Sequence, residues 1–301
     1  MKLYAIRQFL VKNTPLFFSQ FIIKMWRGPL TPIRTAISVR RFSKNIKPYY
    51  KKISYDNLKL EMYVDVAESW VSREVDLRGI HEEHILENII RHLPVGGVFV
   101  DVGANVGQHT LFSAAKVGEK GKVFAFEPIP SSAEQIVLSK NQNKFEWLTV
   151  KQKAVSDKVG TTDFYKYGLS DISSRNLNFT DRPAEKIQVE MTTLDIELKD
   201  LHKVDCIKID VEGYEMDVLN GAKEVIKKHK PAIILEYSPV FYEKLNPHDS
   251  DDIFSFLLDF GYSITDIDNL PGHINNISKY CEDLKKAGNI SNILCICRNS
   301  L

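Results

Sequence analysis

The chain has 301 residues, 44% of them hydrophobic and 26% charged, with 40 basic against 39 acidic side chains. With 15 Gly, 12 Pro and no repeat or low-complexity tract, it is excluded from collagen, coiled coil and wholesale disorder and suits one large α/β domain or two smaller ones. The four cysteines, Cys206, Cys281, Cys295 and Cys297, are too sparse for a disulfide scaffold or a structural zinc site, and read as reduced packing residues of a cytoplasmic protein.

Charge is unevenly spread along the chain. Residues 1–55 hold twelve basic side chains and no acidic one, which leaves 28 basic against 39 acidic residues in the remainder, a net of −11. A cationic arm, 1–55, thus precedes an anionic body, 56–301. Phe18, Phe21, Ile22 and Met25 fall at i, i+3, i+4, i+7 with Lys24 and Arg27 elsewhere around the turn, the pattern of a basic amphipathic helix. No run reaches the ~18 apolar residues of a spanning helix. Three roles compete for the arm: packing on its own acidic body or a second copy of the chain, peripheral membrane contact through residues 1–52, and a nucleic-acid or presequence role.

Past Pro48, strand and helix signals alternate, which predicts a mostly parallel sheet with crossover helices. A helix over 80–93 ends at Pro94-Val95-Gly96-Gly97 and feeds a strand, Val98 to Val102. A glycine loop and a helix from about Gly107 to Val117 follow. Lys122 to Glu127 is a second strand, with Ser131 the expected N-cap of a helix to about Asn141. Leu148 to Val155 is the third strand and Val204 to Asp210 the fourth. A helix then spans Met216 to His229, with Gly221 its weak spot. Ala232 to Tyr237 is the fifth strand. Residues 249–260 read as helix, Tyr262 to Asp266 as strand, and Asn292 to Arg298 as the last strand. Residues 160–192 break the rhythm with short alternating segments, expected to be a β-hairpin insertion with a mobile tip.

Four predicted strands finish on or just after an acid: Asp101, Glu127, Asp210 and Glu236. In an open parallel sheet the carboxyl ends share one edge, where ligands bind, so these side chains should converge. A lone acid at a strand end is commonly a cap or a solvated turn residue, but four, each followed by Gly or Pro within three residues, indicate a site. The loop Gly103-Ala104-Asn105-Val106-Gly107 lets the backbone bend close to a ligand at a helix N-terminus. It departs from the dinucleotide G-x-G-x-x-G, because Asn105 replaces the second glycine and Gly107 comes one residue early. A nucleoside ligand with a cationic amino-acid tail and no phosphate fits better. S-adenosylmethionine is such a molecule: Glu127 could accept both ribose hydroxyls, and Asp101 could favour the positive charges.

The segments Asp101-Val-Gly-Ala-Asn-Val-Gly107 with Thr110, Phe126-Glu-Pro-Ile-Pro130, Ala154-Val-Ser-Asp157, Thr193-Leu-Asp195, Lys208-Ile-Asp-Val-Glu-Gly-Tyr-Glu215 and Leu235-Glu236 resemble, in order, the successive motifs of the FkbM-type methyltransferases. The resemblance runs from about residue 75 to 298. It implies a class I methyltransferase fold: a Rossmann-like three-layer α/β sandwich on a seven-stranded, mostly parallel sheet whose final strand, around Ile293 to Cys297, is antiparallel. It implies S-adenosyl-L-methionine as cofactor and O-methylation of a hydroxyl on a sugar, glycolipid or polyketide-like acceptor. By residue matching, Asp101, Gly103, Asn105 and Gly107 would line the methionine end, Glu127 the ribose, and Ser156 or Asp157 the adenine edge. The basic arm and much of 160–192 fall outside the resemblance.

Methyl transfer from a sulfonium mainly requires alignment of the acceptor oxygen and removal of its proton. Asp210 is the first candidate base and Glu236 the second. Glu212 and Glu215 follow on a turn where acids also serve as helix caps, and Lys208 and Tyr214 could orient the acceptor. Asp210, Glu212 and Glu236 also offer the hard oxygen ligands of Mg²⁺, though nothing in their spacing requires an ion and no metal is assigned. His81, His84, His109 and His202 read as surface or cap residues. The rival classes are an NAD-linked dehydrogenase, which the glycine spacing opposes, and a non-catalytic membrane or nucleic-acid binding module. Nucleic-acid methylation ranks last, since a body of net −11 repels phosphate backbones.

Overall fold

A computed structural model describes residues 47–166, 173–174, 185–239, 242, 252–268 and 272–297. The chain divides into two units, Met1–Lys47 and Pro48–Leu301, and every element named below belongs to the second. The amphipathic pattern around Phe18 to Arg27 and most of the basic arm therefore lie outside the described residues.

The described end of the arm is a strand. β1 (Tyr49–Tyr55) turns over Asp56-Asn57 into β2 (Leu58–Val64), an antiparallel hairpin in which Tyr55 pairs with Leu58 and Tyr49 with Val64. On β2 the alternate residues Leu60, Met62 and Val64 are buried, the period-two signature of a half-covered strand. α1 (Trp70–Arg78) starts at Ser69, whose hydroxyl accepts the Ser72 N–H at 3.0 Å, and stops at Gly79, φ +86°. α2 (Glu83–His92) buries Ile85, Leu86 and Ile89 along one stripe.

The central run follows the expected order with small shifts of boundary. β3 (Val98–Val102) leads through the glycine loop into α3 (Gln108–Val117), then β4 (Lys122–Phe126) and α4 (Pro130–Asn143). Ser131 does not cap α4. The cap lies two residues earlier: the helix begins at Pro130, whose fixed φ and missing N–H suit a first position, with Ile129 as an N-cap that makes no side-chain bond. The hairpin's outer edge is covered here: Asn143 Oδ1 accepts the Glu61 N–H at 2.9 Å and Ser139 Oγ the Tyr63 N–H at 2.9 Å.

The expected third strand divides into two. β5 (Leu148–Lys151) joins the main sheet, the chain turns at Gln152-Lys153, and β6 (Ala154–Val155) pairs instead with the insertion. That insertion is the predicted hairpin: β7 (Gly160–Lys166), the two-residue β8 (Ser173–Ser174) and β9 (Glu185–Thr192), with β7 and β9 antiparallel from Gly160–Met191 to Lys166–Glu185. Its tip lies outside the described residues. α5 (Leu194–Glu197) and β10 (Cys206–Ile209) come next.

The helix predicted over Met216 to His229 is broken at its weak spot into α6 (Glu215–Asn220) and α7 (Lys223–His229). A Cβ at Gly221 would stand 2.0 Å from the Ser156 carbonyl oxygen, so glycine lets this break pack against the start of the insertion. β11 (Ala232–Tyr237), α8 (Asp252–Asp259), β12 (Tyr262–Asp266), the two-residue β13 (Gly272–His273), α9 (Ile277–Ala287) and β14 (Ser291–Cys297) complete the chain.

The main sheet has the order β13-β12-β14-β11-β10-β3-β4-β5. β5, β4, β3, β10 and β11 are mutually parallel, and β14 runs antiparallel between β11 and β12. Apart from two-residue β13 this is the expected seven-stranded sheet with an antiparallel final strand, and helices cover both faces. Val98, Val100, Val102, Ile207 and Ile209 pack with Val218, Leu219 and Phe254 on one face. Phe99, Cys206, Val123 and Ile234 pack with Ile85, Leu111 and Phe112 on the other. All four cysteines are buried and unbridged, as packing residues should be.

Candidate active site

The carboxyl ends of β3, β4, β10 and β11 meet at a cleft of about 460 Å³, within the usual ~300–1,000 Å³ of small-molecule sites. Glu127, Asp210, Glu212 and Glu236 line it, as do Gly103, Asn105, Gly107, Lys208 and Tyr214.

The glycine loop forms the floor. Gly103 (φ +78°) and Gly107 (φ +87°) adopt backbone conformations that favour glycine, and Asn105 (φ +53°) supplies the third left-handed residue. Glu127 joins this loop to the end of β4: its Oε2 accepts the Asn105 N–H and its Oε1 the Ile129 N–H, both at 2.8 Å. Burial raises its pKa to about 8, against the lowering effect of those two bonds. Asp101 lies beneath the floor, 1% exposed, with Oδ2 accepting the Thr110 hydroxyl at 2.6 Å and Oδ1 without a hydrogen-bond partner among the described residues. Burial also raises the Asp101 carboxyl, while Lys208 and Thr110 oppose it.

Lys208 in β10 and Asp210, the first residue beyond its end, form an ion pair of 2.8 Å. Burial alone would lower the Lys208 ammonium, but Asp210 and Asp101 outweigh it and hold the pKa above the ordinary lysine range. The Asp210, Glu212 and Glu236 carboxylates offer oxygens within 4.8 Å of one another. Burial, then the Asp210 charge, raises Glu212 to about 8 and lifts Glu236 well above the usual carboxylate range. Glu215 stands apart as a structural residue. Its Oε1 accepts the N–H groups of Val211 (3.2 Å) and Gly213 (3.1 Å), and its Oε2 accepts the Tyr242 hydroxyl, so it ties down the turn that presents Glu212.

Residues 101–264 match the Methyltransferase FkbM domain. The chain belongs to the FkbM methyltransferase family. It is 30% identical over 175 residues to the hexuronic acid methyltransferase AglP of Haloferax volcanii, a match covering 54% of this chain and 63% of AglP. It is 29% identical over 157 residues to the 2-O-methyltransferase NoeI of Sinorhizobium fredii, covering 47% and 63%. The chain thus spans somewhat under two thirds of the length of both curated relatives. The crystal structure of an FkbM methyltransferase from Methylobacillus flagellatus superposes with a TM-score of 0.41 at 17% identity, over 66% of this chain and 43% of that one.

S-adenosylmethionine is the cofactor of the FkbM methyltransferases, and the cleft's donor set suits it. The loop offers close backbone approach without a phosphate-binding cation, because Lys208 is already tied to Asp210 and Lys153 bridges to Glu197 at 3.2 Å. The lining offers five carboxyl groups, Glu82 included, and both of its lysines are paired with carboxylates rather than placed to hold a pyrophosphate.

Sequence reading missed the roof of this FkbM cleft. Trp70 and Val71 of α1, His81 and Glu82 before α2, and Phe164 of β7 all line it. The His81–Glu82 turn is held down by Gln108, whose Oε1 accepts the His81 N–H at 2.7 Å and whose Nε2 donates to the His81 carbonyl at 2.6 Å. His109, read as a surface or cap residue, is buried in the first turn of α3 with Nε2 unpartnered among the described residues, and burial and Lys208 hold its pKa well below the ordinary histidine value. His84 is a structural partner of Asp268, and His202 is exposed as expected. Ser156 and Asp157, matched to the adenine edge, do not line the cleft. Ser156 is buried with its hydroxyl 3.2 Å from Asp157 Oδ1, Asp157 is exposed, and Lys153, Ala154 and Val155 form that wall. The break between β5 and β6 moves the lining a few residues toward the N-terminus. Among the described residues no helix is long and apolar enough to cross a membrane.

Proposed function

We propose that this chain is an S-adenosylmethionine-dependent O-methyltransferase acting on a hydroxyl of a sugar-containing acceptor. The observation that carries the reading is the meeting of Glu127, Asp210 and Glu236 with the glycine loop at one cleft. The names of the relatives, a hexuronic acid methyltransferase and a 2-O-methyltransferase, supply the acceptor class.

When bound, the cofactor supplies a methyl group on a positively charged sulfur, an already activated leaving group. Glu127, fixed by two backbone N–H groups, would receive the ribose hydroxyls on its remaining lone pairs. Gly103, Asn105 and Gly107 would let the backbone meet the methionine end, with Asp101 lending negative charge from below. Burial raises Glu212 to about 8 and lifts Glu236 well above the usual carboxylate range, which favours their protonated forms and suits them to hydrogen bonding. Asp210, in its ion pair with Lys208, is the carboxylate left to take the acceptor proton, and Lys208 would steady the developing oxyanion. Alignment of acceptor and donor accounts for roughly 7 to 11 kcal/mol of barrier lowering in favourable cases.

The test is a mass-spectrometric screen of glycosides, glycolipids and hydroxylated metabolites with isotope-labelled S-adenosylmethionine. Transfer of the label to oxygen on a sugar is the expected result. Transfer to nitrogen, or none to any hydroxyl compound by protein that binds the cofactor, would overturn the reading.

A further inference from the structure

Among the described residues, those other than glycine with positive φ are Asp56, Glu82, Asn105, Lys144, Glu212 and Lys230. Asp56 turns the β1–β2 hairpin, and Lys144 and Lys230 end α4 and α7, places where a left-handed residue is routine. The other three all line the cleft. Asn105 eases its conformation by accepting the Val106 N–H on Oδ1 at 2.7 Å. A glutamate has no such short-range bond to make, so Glu82 at φ +50° costs stability and persists because its surroundings hold it.

Gln108 does the holding. It is 3% exposed at the first position of α3, directly after the glycine loop, and its amide meets both backbone groups of one residue: it accepts the His81 N–H at 2.7 Å and donates to the His81 carbonyl at 2.6 Å. The second bond fixes the planar peptide that joins His81 to Glu82, and with it the direction in which Glu82 leaves the chain. That direction is toward the β10–β11 side of the cleft. Burial and then the Asp210 charge raise Glu212, beyond β10, and Glu236, in β11, and the Glu82 charge adds to both. Against burial, Asp210, Asp101 and then Glu82 hold up the Lys208 ammonium. Glu127, proposed for the ribose, ends β4, two strands away from β10. The Glu82 side chain is 29% exposed, and its carboxyl stands 3.8 Å from His81 Nε2, beyond hydrogen-bond reach. Among the described residues no donor hydrogen-bonds that carboxyl, so it can accept one or two hydroxyls of a molecule whose reacting oxygen lies at Asp210.

We propose that Glu82 is an acceptor-binding residue, taking a hydrogen bond from a hydroxyl of the substrate, and that Gln108 is the positioning residue that holds it over the Lys208–Asp210 pair. This inference rests on the O-methyltransferase reading above.

The experiment measures label transfer from S-adenosylmethionine to methyl glycosides of glucose, galactose, mannose and rhamnose. It compares the intact chain with Glu82→Ala, Glu82→Gly, Gln108→Ala and the Glu82→Ala/Gln108→Ala double variant, and measures S-adenosylhomocysteine affinity by calorimetry and melting temperature for each. Glu82→Ala should raise the acceptor KM roughly 10- to 100-fold, the worth of a hydrogen bond to a charged group, with kcat changed far less and S-adenosylhomocysteine affinity unchanged. Gln108→Ala should raise KM roughly 3- to 10-fold, as one neutral hydrogen bond would. Because Gln108 acts through Glu82, the double variant should stay within about twofold of Glu82→Ala alone. Glu82→Gly should lose the same affinity for acceptor while its melting temperature holds or rises by up to about 4 °C, since glycine relieves the left-handed backbone. An unchanged KM in Glu82→Ala, a loss of S-adenosylhomocysteine affinity that assigns Glu82 to the cofactor, fully additive effects in the double variant, or a lower melting temperature in Glu82→Gly would each overturn the proposal. If the intact chain binds S-adenosylhomocysteine but methylates no glycoside, the sugar reading itself falls and this inference with it.

Discussion

A Cβ on Gly103 would stand 1.8 Å from the carbonyl oxygen of Asp210, so the first turn of the glycine loop and the end of β10 are in backbone contact. The loop proposed to meet the methionine end and the proposed base are thereby held at a set separation. Gly103→Ala must push these segments apart and also place a side chain at φ +78°. The expected outcome is a loss of about 2 to 4 kcal/mol of stability together with loss of S-adenosylmethionine binding, read by thermal denaturation and calorimetry.

Glu127 is predicted to act on the cofactor rather than on the fold alone. Glu127→Ala should weaken S-adenosylhomocysteine binding roughly 10- to 100-fold, the worth of one or two buried hydrogen bonds, while the circular dichroism spectrum stays native. Equal affinities in the two proteins would remove Glu127 from the ribose site.

Asp210→Asn should lower kcat by about 10²- to 10⁴-fold, the usual contribution of a positioned base, with S-adenosylhomocysteine affinity altered less than about threefold. The substitution also leaves the buried Lys208 ammonium facing a neutral amide, so a lower melting temperature is expected as well. Rates are therefore to be compared well below both transitions. Undiminished turnover would acquit Asp210 as base.

Stability should fall as pH rises. Burial raises Glu127 and Glu212 from the ordinary 4.5 to about 8, so between those values the native state keeps protons that the unfolded chain has released. More protons bound natively means that stability declines with pH across this window and levels off above it. The melting temperature should drop by roughly 3 to 8 °C between pH 5.5 and 8.5. Glu212→Gln should flatten that slope, because among the described residues no backbone N–H donates to Glu212 in the way that those of Asn105 and Ile129 donate to Glu127. A melting temperature that climbs over this range would contradict the assignment.

Removing residues 1–46 spares β1 and is predicted to leave S-adenosylhomocysteine affinity unchanged while abolishing sedimentation with anionic liposomes. If the shortened protein is insoluble, the arm belongs to the fold. If it sediments as before, the membrane reading of the arm fails.

The amino-acid sequence by itself determined the order of the central elements and their polarity. Val98 to Val100, Val123 to Phe126 and Ala232 to Leu235 are unbroken apolar runs, each followed directly by an acid, Asp101, Glu127 or Glu236, and parallel pairing brings such ends to one edge whatever the loops do. The meeting of Glu127, Asp210 and Glu236 at one cleft was therefore legible in the sequence, whereas Asp101 is buried and does not line it. The roof was not. Trp70, Glu82 and His109 carry no local signal, because what makes them part of the cleft is the packing of α1 and α2 over a sheet far from them in sequence. The same holds for the division of labour among the acids: Glu212 and Glu215 sit three residues apart on one turn, yet Glu215 is consumed by Val211, Gly213 and Tyr242 while Glu212 faces the cleft. Periodicity sets which way a side chain leaves its strand, but burial and charge neighbours, which only tertiary contact supplies, decide what it can do there.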